Sequence, residues 1–490
     1  MHLRSALVRT PTVLFTALAG SAASADTLYW NAEYVEGNPA SWNEAANWST
    51  DAEGTTPASA LPTLLDDVIF NSTPYGNDAN QTRISVDIAA RSLTFDTTST
   101  VRLSQTNSTR ILSLGEGGIT VNSEASGITI GESTGSLFTE VTASQTWANN
   151  SNSGLSVRRL RVSNTATGDV TVTLSANGSG SISFANSIAD SVDGTKRLGI
   201  VIDSAGTGTV SLLAASSGNV TSGGSWTGGT LVKRGTLLAG TATVGIGDIK
   251  LGDTSGDGNA TLRVNTMTAF TTDLVVQAGN TGVSSLEFVV NGSATYAGNI
   301  TLEDDLHVGV RNAGGGSSIT GVISGSGNLI KGQYQGSNTT GMLTLRGVNT
   351  FSGDLVVNVG SLTLAEEGAL TFYLGADGAS NQVRGAGSNS VTFAGGFIFD
   401  FTNVSLTEDG MWQIVDVDSL NESFTSTFFI QGFTEIDNVW TNGLGFSFSE
   451  ATGVLTYTAG LIPEPSAFAA FAGLGALGAS ALRRRRRAAA

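Results

Sequence analysis

The chain of 490 residues contains no cysteine. Neither a disulfide nor a thiolate metal site can hold it together, so stability must come from packing and backbone hydrogen bonds. Histidine is almost as scarce, with His2 and His307 as its two members. A serine-hydrolase triad would have to use His307, and no Gly-x-Ser-x-Gly stands in a strand–helix setting. Charged residues are only 13% of the chain. Almost no segment carries the period of an amphipathic helix.

What is present points one way. There are 63 glycines, and apolar residues reach 40%, too many for a disordered chain. Short alternating runs recur: Ile84–Ile88, Ser92–Phe95, Thr171–Leu174, Ala260–Val264 and Leu286–Val290. Each is bounded by Gly, Asn, Ser or Asp within a few residues, the pattern of short strands and turns. Low charge with polar, β-favouring and turn residues is typical of extracellular β-solenoids rather than helical enzymes.

A weak repeat lies beneath this pattern. Residues 226–237 (WTGGTLVKRGTL) align with 351–362 (FSGDLVVNVGSL). Trp226 and Phe351 lead, Gly228 and Gly353 follow two residues on, and Gly235 and Gly360 stand nine residues on. Residues 296–302 copy the first half. The physical reading is one coil of a solenoid, with aromatic and aliphatic residues inward and glycine at a tight or positive-φ corner. The segment 321–364, with GSGNLIK (325–331), LTLRGVNTFSG (343–353) and VVNVGSL (356–362), resembles the autotransporter-associated β-strand repeat. An insertion, 332–341, departs from its usual short spacing. The resemblance implies a right-handed parallel β-helix at a cell surface. From 85 to 390 there is room for roughly 13 to 15 coils of about 20–24 residues, a rod about 65–70 Å long at about 4.8 Å per coil. A self-transporting protein would also need a barrel of about eight strands, and the residues after the repeats offer no such pattern.

Both ends of the rod need covers, because open sheet edges invite pairing. Residues 26–84, with Trp30, Trp42 and Trp48, are expected to form a β-rich N-terminal cap. Residues 391–460, rich in Phe with Trp412 and Trp440, are expected to form a small antiparallel β unit.

The termini carry addresses. Arg4 and Arg9, an apolar stretch from Val13 to Ala19, and Ala23-Ser24-Ala25 read as a signal peptide over 1–25, cut before Asp26. At the other end, Pro463-Glu464-Pro465 precedes an uncharged run from Ser466 to Leu482 and then Arg483, Arg484, Arg485, Arg486 and Arg487. A helix over those 17 residues spans about 25 Å against about 30 Å of hydrocarbon, the short limit for a crossing. The arginines favour the cytoplasmic side. The whole of 463–487 resembles the PEP-CTERM sorting signal of Gram-negative bacteria. That resemblance implies handling by an exosortase-like enzyme after secretory export, with the inner membrane as a temporary anchor.

Candidate chemistry is sparse. His307, beside Glu303, Asp304 and Asp305, reads as a surface residue on a turn or, more sharply, as a metal ligand. Residues 253–258 (DTSGDG) have the look of a calcium loop, but Val264 replaces the closing acid, so a polar turn is the better reading. Asp66-Asp67 and Asp304-Asp305 are sequence neighbours, which strands point to opposite faces, so neither makes a glycosidase pair by itself. Arg158, Arg159 and Arg161 alternate with Val157, Leu160 and Val162, an exposed strand face or a binding site. Trp42 and Trp48 suit either sugar stacking or burial in the cap.

The formal charge is −17, and removing signal and tail leaves 17 basic and 40 acidic residues, a net −23. Nucleic acid and anionic lipid are disfavoured as partners. The expectation is a non-enzymatic, cofactor-free, exported β-solenoid of the cell surface or extracellular matrix, structural or adhesive, with extracellular polysaccharide as a partner. The alternative is a β-helix polysaccharide lyase or glycosidase.

Overall fold

The computed structural model describes residues 25–32, 40–71, 80–105, 108–131, 136–212, 226–240, 244–311, 316–336, 341–385, 390–418, 420 and 423–459. These residues form an all-β chain whose helices are two short 3-10 turns, Ala45–Asn47 and Ala376–Gly378. The short alternating runs become strands with one face in and one face out. Ala260–Val264 buries Ala260, Leu262 and Val264 and leaves Thr261 and Arg263 outward.

The strands stack in parallel as a solenoid. One ladder begins with Thr27–Trp30, Asp67–Asn71 and Ile88–Asp96 and runs on to Ile300–Leu302 and Ile323–Gly325. A second face begins with Asn80–Ile84 and Val101–Gln105 and ends at Val383–Gly385 and Val415–Val417. Shorter ladders complete the coils. Ser136–Val141 and Leu160–Val162 lie on the N-terminal side, and Ser317–Ile319, Met342–Leu345 and Ser361–Leu364 on the C-terminal side.

The solenoid makes about 11 turns, fewer than the expected 13 to 15. The coils are longer than the sequence spacing implies. Leu155 pairs with Ile182, and the stacked turn residues Asn152 and Ser179 are 27 residues apart. Polar corners of several residues, such as 150–154 and 177–181, sit between the faces and lengthen each lap. At about 4.8 Å per rung, 11 turns measure about 53 Å.

One continuous core fills the rod from Leu28 to Tyr457. Its N-terminal end is plugged by aromatics. Trp48 meets Trp42 edge-on at 4.7 Å and Trp30 at 4.9 Å, and Phe70 stacks on Phe95. The residues expected as a separate cap share the solenoid's own sheet, while Trp48–Ser49 turns back antiparallel onto Thr27–Trp30. At the other end, Gly410–Gln413, Thr434–Ile436, Val439–Thr441, Phe446–Ser449 and Val454–Tyr457 form the antiparallel sheet. It packs on Phe397, Phe399, Phe424 and Phe428 through Phe448 and Trp440.

The expected membrane span at 466–482 lies outside the described residues, as do Ala23, Pro463, Glu464, Pro465 and the arginines 483–487. Among the described residues no helix is long and apolar enough to cross a membrane.

Candidate functional site

The repeat positions occupy equivalent roles. Trp226 and Phe351 are both buried, as are Val232 and Val357, Leu237 and Leu362. Gly235 and Gly360 both have positive φ, +95° and +78°, where a side chain would be strained. Gly353 is needed for closeness instead, since a Cβ there would overlap the carbonyl oxygen of Gly327 in the coil below. The two copies lie on different faces. The first runs from the long ladder to the second face, and the other runs from the second face to the ladder of Ser361–Leu364. The repeat unit is thus a strand–corner–strand piece used at more than one side of the rod.

Polar residues of the motif clip coil to coil, a role that spacing alone does not reveal. Asn349 is 1% exposed. Its amide donates to the carbonyls of Gly347 and Ala369 and its Oδ1 accepts from the Ile323 N–H at 3.1 Å. The Asp or Asn that precedes an inward Leu or Ile does the same along another corner. Asp305 Oδ1 accepts from the N–H of Asn328, Asn328 Oδ1 from the N–H of Asp354, and Asp354 Oδ1 from the N–H of Gln382, each at 2.7–2.8 Å. Asp273 and Asn299 extend this rule one column earlier. The recurrent Gly-Asp/Asn-Leu triplets were the available signal.

Ion pairs follow the same axis. Among the described residues seven are seen, joining Arg91–Asp67, Arg161–Glu140, Lys233–Asp253, Arg234–Asp203, Arg263–Glu287, Arg346–Glu367 and Arg384–Asp354. Each links neighbouring laps. They place an acidic chain's few cations where they hold coils in register.

The most distinctive surface is a trough on the second face, of about 530 Å³. Its floor is a row of outward residues in direct register, Thr261, Ser285 and His307. Asn259 and Asn358 stand toward its two ends. Its wall is the start of the insertion at 332. That segment folds back over the sheet, and Gln335 donates its N–H to Glu287 Oε1 at 3.0 Å, 48 residues away in sequence. Gln335 has φ +47°, a left-handed backbone that a non-glycine residue adopts at some strain. Gly309 is where the segment lies closest, because a Cβ there would meet the Gln333 carbonyl at 2.6 Å. Glu287 points outward by strand alternation yet is only 7% exposed. Arg263 Nε donates to its Oε2 at 2.7 Å. Both carboxylate oxygens are therefore engaged.

His307 lies in the strand Leu306–Val310, not on a turn. Burial pushes its imidazole below the ordinary histidine range, with Asp305 opposing. It is neutral at pH 7. Beneath the trough Lys331 is fully buried in an inward position between Val308 and Val357. Its Nζ donates to the carbonyls of Val359 at 3.0 Å and Gly332 at 3.3 Å. Burial lowers its pKa to about 8.

The other sequence candidates are dispersed. Trp42 and Trp48 are buried, and Trp48 donates to the Trp42 carbonyl, so neither offers a face to a sugar. Asp253 caps its own turn and pairs with Lys233. Arg159 and Arg161 lie over the Phe138 ring at 5.2 and 4.1 Å, and Arg161 also pairs with Glu140. Asp67 holds Arg91 and Ser92, while Asp66 turns elsewhere and accepts from Thr63 and from the Asp26 N–H at 3.0 Å. Ala25 precedes that contact and is exposed. Among the described residues there is no group of three or more His, Asp or Glu arranged to hold a metal.

Comparison with protein-family models, with curated proteins and with solved structures finds no match for this chain.

Proposed function

We propose that the protein is an exported β-solenoid of the cell surface or extracellular matrix, structural or adhesive, delivered by the general secretory route and sorted through its C-terminal exosortase-type signal. The observation that carries the reading is the rod itself. A single core runs its length, both ends are closed by aromatic packing, and coil-to-coil clips and ion pairs stiffen it without cysteine. An outward row of Thr129, Ser156 and Ser183 gives it a hydroxyl-lined side.

The contact at Asp26 supports processing before that residue. A cut there would turn its N–H into an ammonium already seated on the Asp66 carboxylate, and charge strengthens such a bond. The geometry of the trough weighs against a glycosidase acting there. A glycosidase needs two free carboxylates flanking one bond, and the trough is lined by Glu287 alone, with both oxygens taken.

The test of sorting is to replace Pro463-Glu464-Pro465 by alanines in the native host and fractionate the cells. The expected outcome is retention of the unprocessed chain in the inner membrane. Unchanged size and location would overturn the sorting claim.

A further inference from the structure

We propose that the trough over Thr261, Ser285 and His307 is a binding site for an uncharged, hydroxyl-rich ligand, a short segment of a neutral polysaccharide. The inference rests on the adhesive branch of the function proposed above and names its ligand class. Its first support is that the trough is an addition to the repeat. The segment beginning at 332 passes over the outer face and leaves Glu287 covered. Ordering a loop has a conformational cost, and burying a carboxylate has another. The strained Gln335 adds to both. Packing of the inward residues Leu286, Val308 and Lys331 does not call for that covering, since they face the other side of the sheet.

The second support is charge. Arg263 compensates Glu287, and His307 is neutral, so no net charge faces the cavity. A phosphate or a polyanion would find no free cation on its lining, and a divalent ion would find no free carboxylate. What remains is a mixture of donors and acceptors: the hydroxyls of Thr261 and Ser285, the Nδ2 group of Asn259, the amide of Asn358, and the imidazole of His307. Neutral imidazole both donates and accepts. That set matches the hydroxyls of a sugar, each of which is also donor and acceptor.

The third support is dimension and direction. The volume of about 530 Å³ lies inside the range of about 300–1,000 Å³ typical of ligand sites. The floor residues repeat along the rod axis at about 4.8 Å. A linear polymer lying along the axis therefore meets a polar group at three successive rungs. The trough lies on an outer face of the rod, so an internal segment of a chain can enter sideways.

The experiment uses the full-length chain and saturation-transfer NMR. The probes are neutral oligosaccharides of the cello-, malto- and manno- series, acidic oligogalacturonate and oligoalginate, inorganic phosphate and Ca²⁺. Binding of at least one neutral series is expected, with no response to phosphate or Ca²⁺. Ser285→Trp and, separately, Thr261→Trp fill the trough and are expected to weaken binding by about tenfold or more, equal to about 1.4 kcal/mol. Ser183→Trp, on the same face outside the trough, is expected to bind as the parent does. Thermal transitions of all three variants check that each is folded, and either trough variant that folds decides the matter. Binding of acidic probes alone overturns the ligand class. Binding unchanged in a folded trough variant overturns the site, while leaving adhesion by another surface standing. No binding to any probe overturns the inference, and the fractionation of the Pro463-Glu464-Pro465 variant still decides delivery independently.

Discussion

At the scale of single residues, the unusual choices are polar groups at inward positions. Lys331 stands where its rung neighbours are Val308 and Val357. Two carbonyls satisfy it in part, and among the described residues no carboxylate pairs with it. Burial holds its pKa at about 8, below the value of about 10.4 in an unfolded chain. Between those values the unfolded chain binds more protons, so stability rises with pH across that window and is flat below it. Before tyrosines ionise, the gain from pH 8 to 9.5 should be about 1.5 kcal/mol. Urea midpoints measured at pH 7.5, 8.5 and 9.5 should climb in the parent chain relative to Lys331→Met. Parallel curves for the two would show that the ammonium is not held in a low-dielectric site.

At the scale of the element, the strand–corner–strand unit explains which parts of the motif were legible. Its aromatic, its glycines and its inward aliphatics follow from periodicity and from backbone sterics, and they were readable at 226–237 and 351–362. Register was less so. A strand of three residues such as Leu329–Lys331 carries too little alternation to say which neighbour it will pair with. The sequence spacing of two glycine motifs therefore could not give the length of a lap, which depends on the polar corners between faces. Asn349 falls within the LTLRGVNTFSG pattern, but its work is tertiary. It satisfies an N–H in the lap before and a carbonyl in the lap after. Asn349→Ala leaves those buried groups without partners, at about 1–3 kcal/mol for each such loss. A total of about 3 kcal/mol is expected by denaturant titration. A change below about 0.5 kcal/mol, the size of an ordinary surface substitution, would refute the clip. The trough was hidden for the same reason. The insertion at 332 was visible as a departure from spacing, while its contact with Glu287 joins residues two laps apart.

At the scale of the whole molecule, the rod is quasi-one-dimensional. Each lap touches its neighbours, and among the described residues the aromatic plugs at the ends and the fold-back at 332 reach beyond them. Stability in such an array is a sum of local and nearest-neighbour terms. Damage should therefore stay local. Losing the Asn349 clip should raise amide exchange in the laps it bridges, around Ile323 and Ala369, and leave protection unchanged in the laps of Val170–Ala176 and Leu198–Asp203. The opposite extreme is a two-state globular domain, where one core defect lowers by the same amount the protection of every amide that exchanges through global unfolding. Amide exchange read by mass spectrometry, lap by lap, separates the two. Uniform loss of protection across the chain would mean that the end plugs couple the laps into one cooperative unit. Confinement to the clipped laps would mean that a rod of this kind can tolerate a local opening without losing its other laps.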